Sequence, residues 1–267
     1  IAAIAALVAI VLIVVAAFKA WQNASPEGQL KALEERAQKS EEAFQRVADA
    51  VNETREAIKQ LQSAYTTIEN LTKGTAEWYK AVSDVNYEVT QLLEKYPELS
   101  NHVYQEDGML KIAQSGYDYI DQVETERLNT ANNIKLNDAK AVNDQKIQNA
   151  WYDSSFYDEK AWKAANAYYQ DDRVGENMFT RSGAEELVNA LYGSKEDYRQ
   201  QYQDYYGTDE YNDYADAEWE SMVDNMEYML EDNRELIQEV SNLTDQNRRL
   251  DDAQLEAKLA SVGSVRT

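Results

Sequence analysis

His102 is the single histidine of this chain. A catalytic imidazole needs a reacting group at one ring nitrogen and an orienting acid at the other. No such pair is identifiable around His102, so a structural or solvated role at a hairpin edge is expected. Cysteine is absent, which removes disulfides, thiolate metal sites and a cysteine nucleophile. The acidic run Asp209-Glu210-Tyr211-Asn212-Asp213-Tyr214-Ala215-Asp216 has the carboxylate density of a calcium loop. It lacks the central glycine and terminal glutamate of an EF-hand, and no metal is expected there. Glycosylation triplets begin at Asn23, Asn52, Asn70 and Asn242, but such triplets arise by chance in an Asn-rich chain, and Thr54 falls on an apolar seam. Neither a phosphate-cradling glycine loop nor a G-x-S-x-G elbow occurs. No catalytic residue, cofactor or enzyme activity is expected.

The elements that would carry these residues follow from composition. Nine glycines and two prolines in 267 residues leave little material for turns, so long uninterrupted elements are expected, and polar ones of that length are helices. Asp and Glu number 49 against 26 Lys and Arg, a net charge of −23. That balance argues against direct nucleic-acid binding and against anionic lipid surfaces, both of which call for basic clusters.

Residues 1–18 read IAAIAALVAIVLIVVAAF without a polar side chain, and Lys19 and Trp21 follow. At about 1.5 Å per residue the run approaches the thickness of a bilayer's hydrocarbon core, and a transmembrane-type helix over residues 1–21 is expected. A signal-peptide core and an apolar helix buried in a large assembly are the competing readings. The chain opens inside this run, which reads as part of a longer protein.

Ser25-Pro26-Glu27 is a helix start: a cap, a first-turn proline and an acid at the positive end of the dipole. Heptads follow, with Leu30, Ala37, Phe44, Val51, Ile58 and Tyr65 at a and Leu33, Ser40, Val47, Thr54, Leu61 and Ile68 at d. Polar Ser40 and Thr54 weaken the seam, so a packed hairpin competes with a dimer. Gly74 is expected as the residue just past this helix, with Thr75 capping a second one whose apolar face is Trp78, Val82, Val85, Val89, Leu92 and Leu93. Together these give a coiled-coil helical hairpin over residues 22–96. Two short apolar stretches around Asp107-Gly108 predict a small β-hairpin within residues 97–114. Ser115 to Asp118 reads as a capping box that restarts a helix.

An alanine/isoleucine/valine-rich helix runs straight into Trp21-Gln22-Asn23-Ala24-Ser25-Pro26-Glu27. A heptad helix follows, then Gly74-Thr75-Ala76-Glu77-Trp78, Leu92-Leu93-Glu94-Lys95-Tyr96-Pro97-Glu98-Leu99, the Asp107-Gly108 turn and Ser115-Gly116. This order resembles the region that follows a hydrophobic segment in tail tape-measure proteins of tailed phages and prophages. The resemblance covers roughly residues 1–120. It implies a long helical structural protein inside the virion tail that sets tail length and assists genome delivery. Tail-tube proteins and a host membrane, entered through residues 1–18, are its implied partners.

The second half lies largely outside that resemblance. Residues 115–150 predict a long polar helix with a thin stripe of Ile120, Val123, Leu128, Ala131, Ile134 and Val142. Residues 151–214 are dense in Tyr and Asp, and Ser155…Asp158, Ser182…Glu185 and Ser194…Asp197 read as capping boxes of short helices. A packed knot of tyrosines with wet hydroxyls and a tyrosine binding surface are both open. Residues 215–260 predict one coiled-coil helix, before a tail at 261–267. Its a positions include Trp219, Met226, Asn233, Val240 and Asn247, and its d positions Met222, Met229, Leu236, Leu243 and Leu250. Leucine at d with asparagine at a marks parallel dimers, a buried asparagine fixing their register, and a polar stripe facing solvent is the competing reading; self-association through Leu30, Leu33, Phe44, Val47, Val51, Ile58, Leu61, Ile68 and this second seam is expected. The fold class is all-α, with long coiled-coil helices, a helical hairpin and a minor β-hairpin, preceded by the apolar helix. A bacterial membrane-anchored coiled-coil envelope protein is the alternative function.

Overall fold

Ser25 starts the first described helix. Its hydroxyl accepts the amide of Gly28 at 3.3 Å and Pro26 occupies the first turn, so α1 runs Pro26–Glu69, about 66 Å of rod. The computed structural model describes residues 25–171 and 174–264. The run 1–18, expected to form a membrane-type helix, lies outside the described residues. Among the described residues no helix is long and apolar enough to cross a membrane. The chain is mostly helical, and its described part divides into two compact units, residues 25–139 with 250–264, and residues 140–249.

In the first unit, α1 buries Ser40, Ala43, Val47, Val51, Thr54, Leu61 and Ile68. The two polar seam positions are tolerated because each hydroxyl is satisfied on its own helix: Ser40 donates to the carbonyl of Ala37 and Thr54 to that of Ala50, both at 2.9 Å. α1 is capped at Asn70 rather than at Gly74. Gly74 (φ 88°) instead lies in the turn before Thr75, whose hydroxyl accepts the amide of Trp78 at 3.2 Å and starts α2, Ala76–Lys95. α2 folds back on α1 and buries Trp78, Val82, Val85, Val89 and Leu92, a 4-3-4-3 spacing that lays one face on the core.

A 3-10 turn at Pro97–His102 leads into β1, Val103–Glu106, paired antiparallel with β2, Met109–Ile112. Asp107 and Gly108 both take positive φ (53° and 81°), as a two-residue hairpin turn of matching twist demands. Asn86 of α2 holds the hairpin down: its amide nitrogen donates to the Gly108 carbonyl at 2.9 Å and its oxygen accepts the Leu110 amide at 2.6 Å. α3, Gln114–Asp153, follows. Ser115 lies inside its first turn, where its hydroxyl meets Nδ1 of His102 at 3.0 Å instead of forming the expected capping box. The main core gathers Leu61, Val85, Val89, Tyr96, Leu99 and Ile120, and a smaller cluster joins Val47 and Val51 to Ala131.

The second unit is built from the rest of α3 with α4 (Glu159–Tyr169), α5 (Arg181–Tyr192), α6 (Lys195–Tyr206), α7 (Asn212–Asp232) and α8 (Arg234–Ser264), α8 also supplying residues 250–264 to the first unit. Only the third expected capping box forms: Ser194 Oγ accepts the Asp197 amide at 3.2 Å, and Asp197 returns an oxygen to the Ser194 amide at 2.8 Å. α4 is capped by Asp158 and α5 by Thr180, because the Ser155 hydroxyl is taken up elsewhere and Ser182 falls within the first turn of α5.

The single helix expected over residues 215–260 is interrupted at Asn233, and its last segment continues as helix to Ser264. The Asn233 side chain donates to Ser155 Oγ at 2.6 Å and to the Met229 carbonyl at 2.7 Å, and accepts the Ser155 amide at 3.0 Å. A polar side chain that ties down a distant loop and bonds its own helix end breaks the rod where a dimer seam would have kept it straight. The buried face of α7 and α8 is also wider than an a/d seam. Val223, Leu230 and Ile237 join Trp219, Met226, Met229 and Val240 in the unit's own core, while Met222 and Leu236 are only half-buried. That breadth is what a helix on a globular core shows.

Candidate functional site

The seam residues were the sequence-derived candidates, and the structure distributes them within the chain. Val47, Val51, Leu61, Ile68, Met226, Met229, Val240 and Leu243 are buried, whereas Leu30, Leu33, Phe44, Ile58, Met222, Leu236 and Leu250 are half-buried. Among the described residues His102 has no carboxylate partner. Beside its contact to Ser115 its ring stacks on Tyr119, centroids 5.9 Å apart. The acidic run at 209–216 is split between a 3-10 turn (Asp209–Tyr211) and α7, and Asp216 is clamped by Arg199. Among the described residues no group of three or more His, Asp or Glu side chains is arranged to hold a metal. The hydroxyl of Thr54, third residue of a glycosylation triplet, faces the interior.

Two concentrations of polar chemistry remain, one in each unit. The first surrounds Glu124 on α3, a carboxylate only 1% exposed. Its Oε1 accepts Arg127 Nη1 at 2.9 Å and the Tyr96 hydroxyl, and lies 3.4 Å from Lys95 Nζ. Lys95 also bonds the Thr54 hydroxyl, and the cations of Lys95 and Arg127 lie 5.3 and 5.6 Å from the Tyr96 ring centroid. A buried carboxylate persists only when paired and hydrogen-bonded, and here one oxygen takes every partner while Oε2 has none among the described residues. Nothing in the sequence marked Glu124, because on a polar helix it looks like any other solvated acid. Sealed from solvent, it serves as a clasp that fixes α3 to the α1–α2 hairpin.

The second concentration is a ladder of tyrosines. Tyr198, Tyr202 and Tyr206 follow at helical spacing on α6, with centroids 5.7 Å apart at each step. The chain turns at Gly207, and Tyr211 stacks on Tyr206 at 4.4 Å and 24°, with Tyr214 6.0 Å further on and Tyr205 edge-on to Tyr206 at 4.8 Å. No residue of α6 is buried. Tyr198 packs partly buried against the unit's core, and ion pairs tie the helix to α7: Arg199 Nη2 to Asp216 Oδ2 at 2.6 Å and Lys195 Nζ to Glu220 Oε1 at 2.7 Å, which hold the carboxyls of Asp216 and Glu220 below the usual range.

No protein-family model, curated protein or solved structure matches this chain.

Several phenols are shifted upward. Burial, then the hydrogen bond to Glu124, raises Tyr96 far above an ordinary phenol, and burial does the same for Tyr65, whose hydroxyl donates to the Leu110 carbonyl at 2.8 Å. Burial and the bond to Glu186 push Tyr168 up to about 12. A phenol that ionises later in the folded chain than in the unfolded one stabilises the fold fully below pH 10, and that contribution disappears as pH climbs through the folded value. Thermal midpoints followed by circular dichroism are therefore expected to fall from pH 10 upward, and less steeply in Tyr96→Phe. A wild-type midpoint that stays level through pH 12 would contradict the assignment.

Proposed function

We propose that this chain is a structural segment of a phage or prophage tail tape-measure protein, which sets tail length and assists genome delivery from the virion tail interior. The observation that carries the reading is the order of elements: an apolar run in the sequence, a Ser25-Pro26 cap, and then a 44-residue helix. A helix is a ruler because each residue adds about 1.5 Å along its axis. The acidic composition fits a protein that lies near nucleic acid without gripping it. Tail-tube proteins and a host membrane, through residues 1–18, are the partners this reading supplies. Self-association belongs to it through surfaces other than Val47, Val51, Leu61 and Ile68, which the chain's own core covers.

The test is genetic. Deleting three heptads from α1 in the encoding phage shortens the tail by about 30 Å in electron micrographs if the helix is read as length. Tails of unchanged length would overturn the reading. The run 1–18 with Lys19 and Trp21 also suits a bacterial membrane-anchored envelope protein. In that case the same deletion leaves tails untouched and the chain fractionates with cell membranes.

A further inference from the structure

We propose that the tyrosine ladder of α6 and the start of α7 is a docking surface for an arginine- and lysine-rich polypeptide segment. The rings are not needed where they are for packing. Tyr205 is 83% exposed, Tyr214 67%, Tyr206 49% and Tyr211 38%, and their hydroxyls have no hydrogen-bond partner among the described residues. Mutually stacked rings left facing water form a contiguous apolar patch, and patches of that kind mark binding surfaces. Tyrosine suits the task because it offers a large rigid face with a polar tip at small conformational cost.

Charge identifies the occupant. No Lys or Arg occurs between Arg199 and Arg234. Lys195 and Arg199 already neutralise Glu220 and Asp216 on the inner side of α6. Asp209, Glu210 and Asp213, next to Tyr211 and Tyr214 in the chain, are exposed, with no ion pair among the described residues. Ring faces bordered by uncompensated carboxylates favour guanidinium and ammonium groups, which can lie over a ring while bonding an acid at its edge. The chain itself pairs cations with rings in this way, Arg234 lying 4.3 Å from the Phe179 centroid. A second copy of the chain, at net charge −23, and nucleic acid are both repelled from such a surface.

The experiment is a titration of the full chain with a fluorescein-labelled oligoarginine peptide, followed by anisotropy, with a neutral oligosaccharide and oligoglutamate run alongside. An acidic protein attracts a polycation anywhere, so the deciding variant keeps every charge: Tyr205→Ser with Tyr211→Ser and Tyr214→Ser. Its expected loss of oligoarginine affinity is about ten-fold. The charge variant Asp209→Asn, Glu210→Gln, Asp213→Asn is expected to lose more than the matched control Glu53→Gln, Asp84→Asn, Glu88→Gln, which removes equal charge elsewhere. This second comparison decides the matter if the tyrosine variant misfolds by circular dichroism. Equal affinity of the tyrosine variant and wild type, equal losses in the two charge variants, absence of oligoarginine binding, or preference for the oligosaccharide would each overturn the proposal.

Discussion

Replacing Gly183 with alanine is expected to destabilise the 140–249 unit by about 3 kcal/mol. Helix propensity alone points the other way, since alanine inside a helix is favoured over glycine by about 1 kcal/mol. Gly183 sits in the first turn of α5, where its amide meets the Thr180 cap. A Cβ there would lie 2.4 Å from Met178 Cα, 2.5 Å from the Met178 carbonyl oxygen and 2.6 Å from that of Asn177. All three are backbone atoms of the 3-10 turn Gly175–Phe179, so no rotamer change can make room. Met178 is fully buried in the unit's core, which keeps the turn from retreating. Urea unfolding followed by tryptophan fluorescence, to which Trp151, Trp162 and Trp219 of this unit contribute, measures the effect. A midpoint equal to or above wild type would mean that the turn moves away and propensity governs.

The second large effect is expected at Glu124. Glu124→Ala removes the one acceptor shared by Tyr96, Lys95 and Arg127, and a buried charge cluster that loses one sign is destabilised by about 3 kcal/mol. The upper part of the usual range is not expected, because the Lys95 and Arg127 side chains are 29% and 14% exposed and can turn toward water. Glu124→Gln retains an acceptor for the Tyr96 hydroxyl while losing the charge, so it should fall between wild type and alanine. Thermal melts of the three proteins at neutral pH test that order. An alanine variant within about 0.5 kcal/mol of wild type would show that the cluster is solvated and does not clasp α3 to the hairpin.

Helix-forming stretches, the Asp107-Gly108 hairpin and the caps at Ser25, Thr75 and Ser194 were legible in the sequence because they depend on residues within about four positions of one another. The apolar spacing of α1 and α2 was legible for the same reason, since a helix displays its period whatever covers it. What covers it was not. A heptad face looks alike whether a second chain or the same chain packs on it, and only the fold brings Ala131 of α3 onto Val47 and Val51. Asn233, read as a register-setting seam residue, became a helix break because Ser155, 78 positions away in sequence, supplies its partners. Glu124 and Gly183 owe their importance to neighbours that no local pattern announces. The tyrosine-rich composition of residues 151–214 is plain, but it leaves open both a packed knot with wet hydroxyls and a tyrosine binding surface. The structure shows which rings pack: Phe156, Trp162 and Phe179 enter the core with Tyr168, Tyr169 and Tyr198 packed against it, whereas Tyr205, Tyr206, Tyr211 and Tyr214 stack on one another in water. Local order, the tyrosine stacking included, is thus written in short-range spacing, whereas which face is covered and which distant partner reaches Asn233 or Glu124 follow from contacts between residues far apart in the chain, which only the tertiary structure decides.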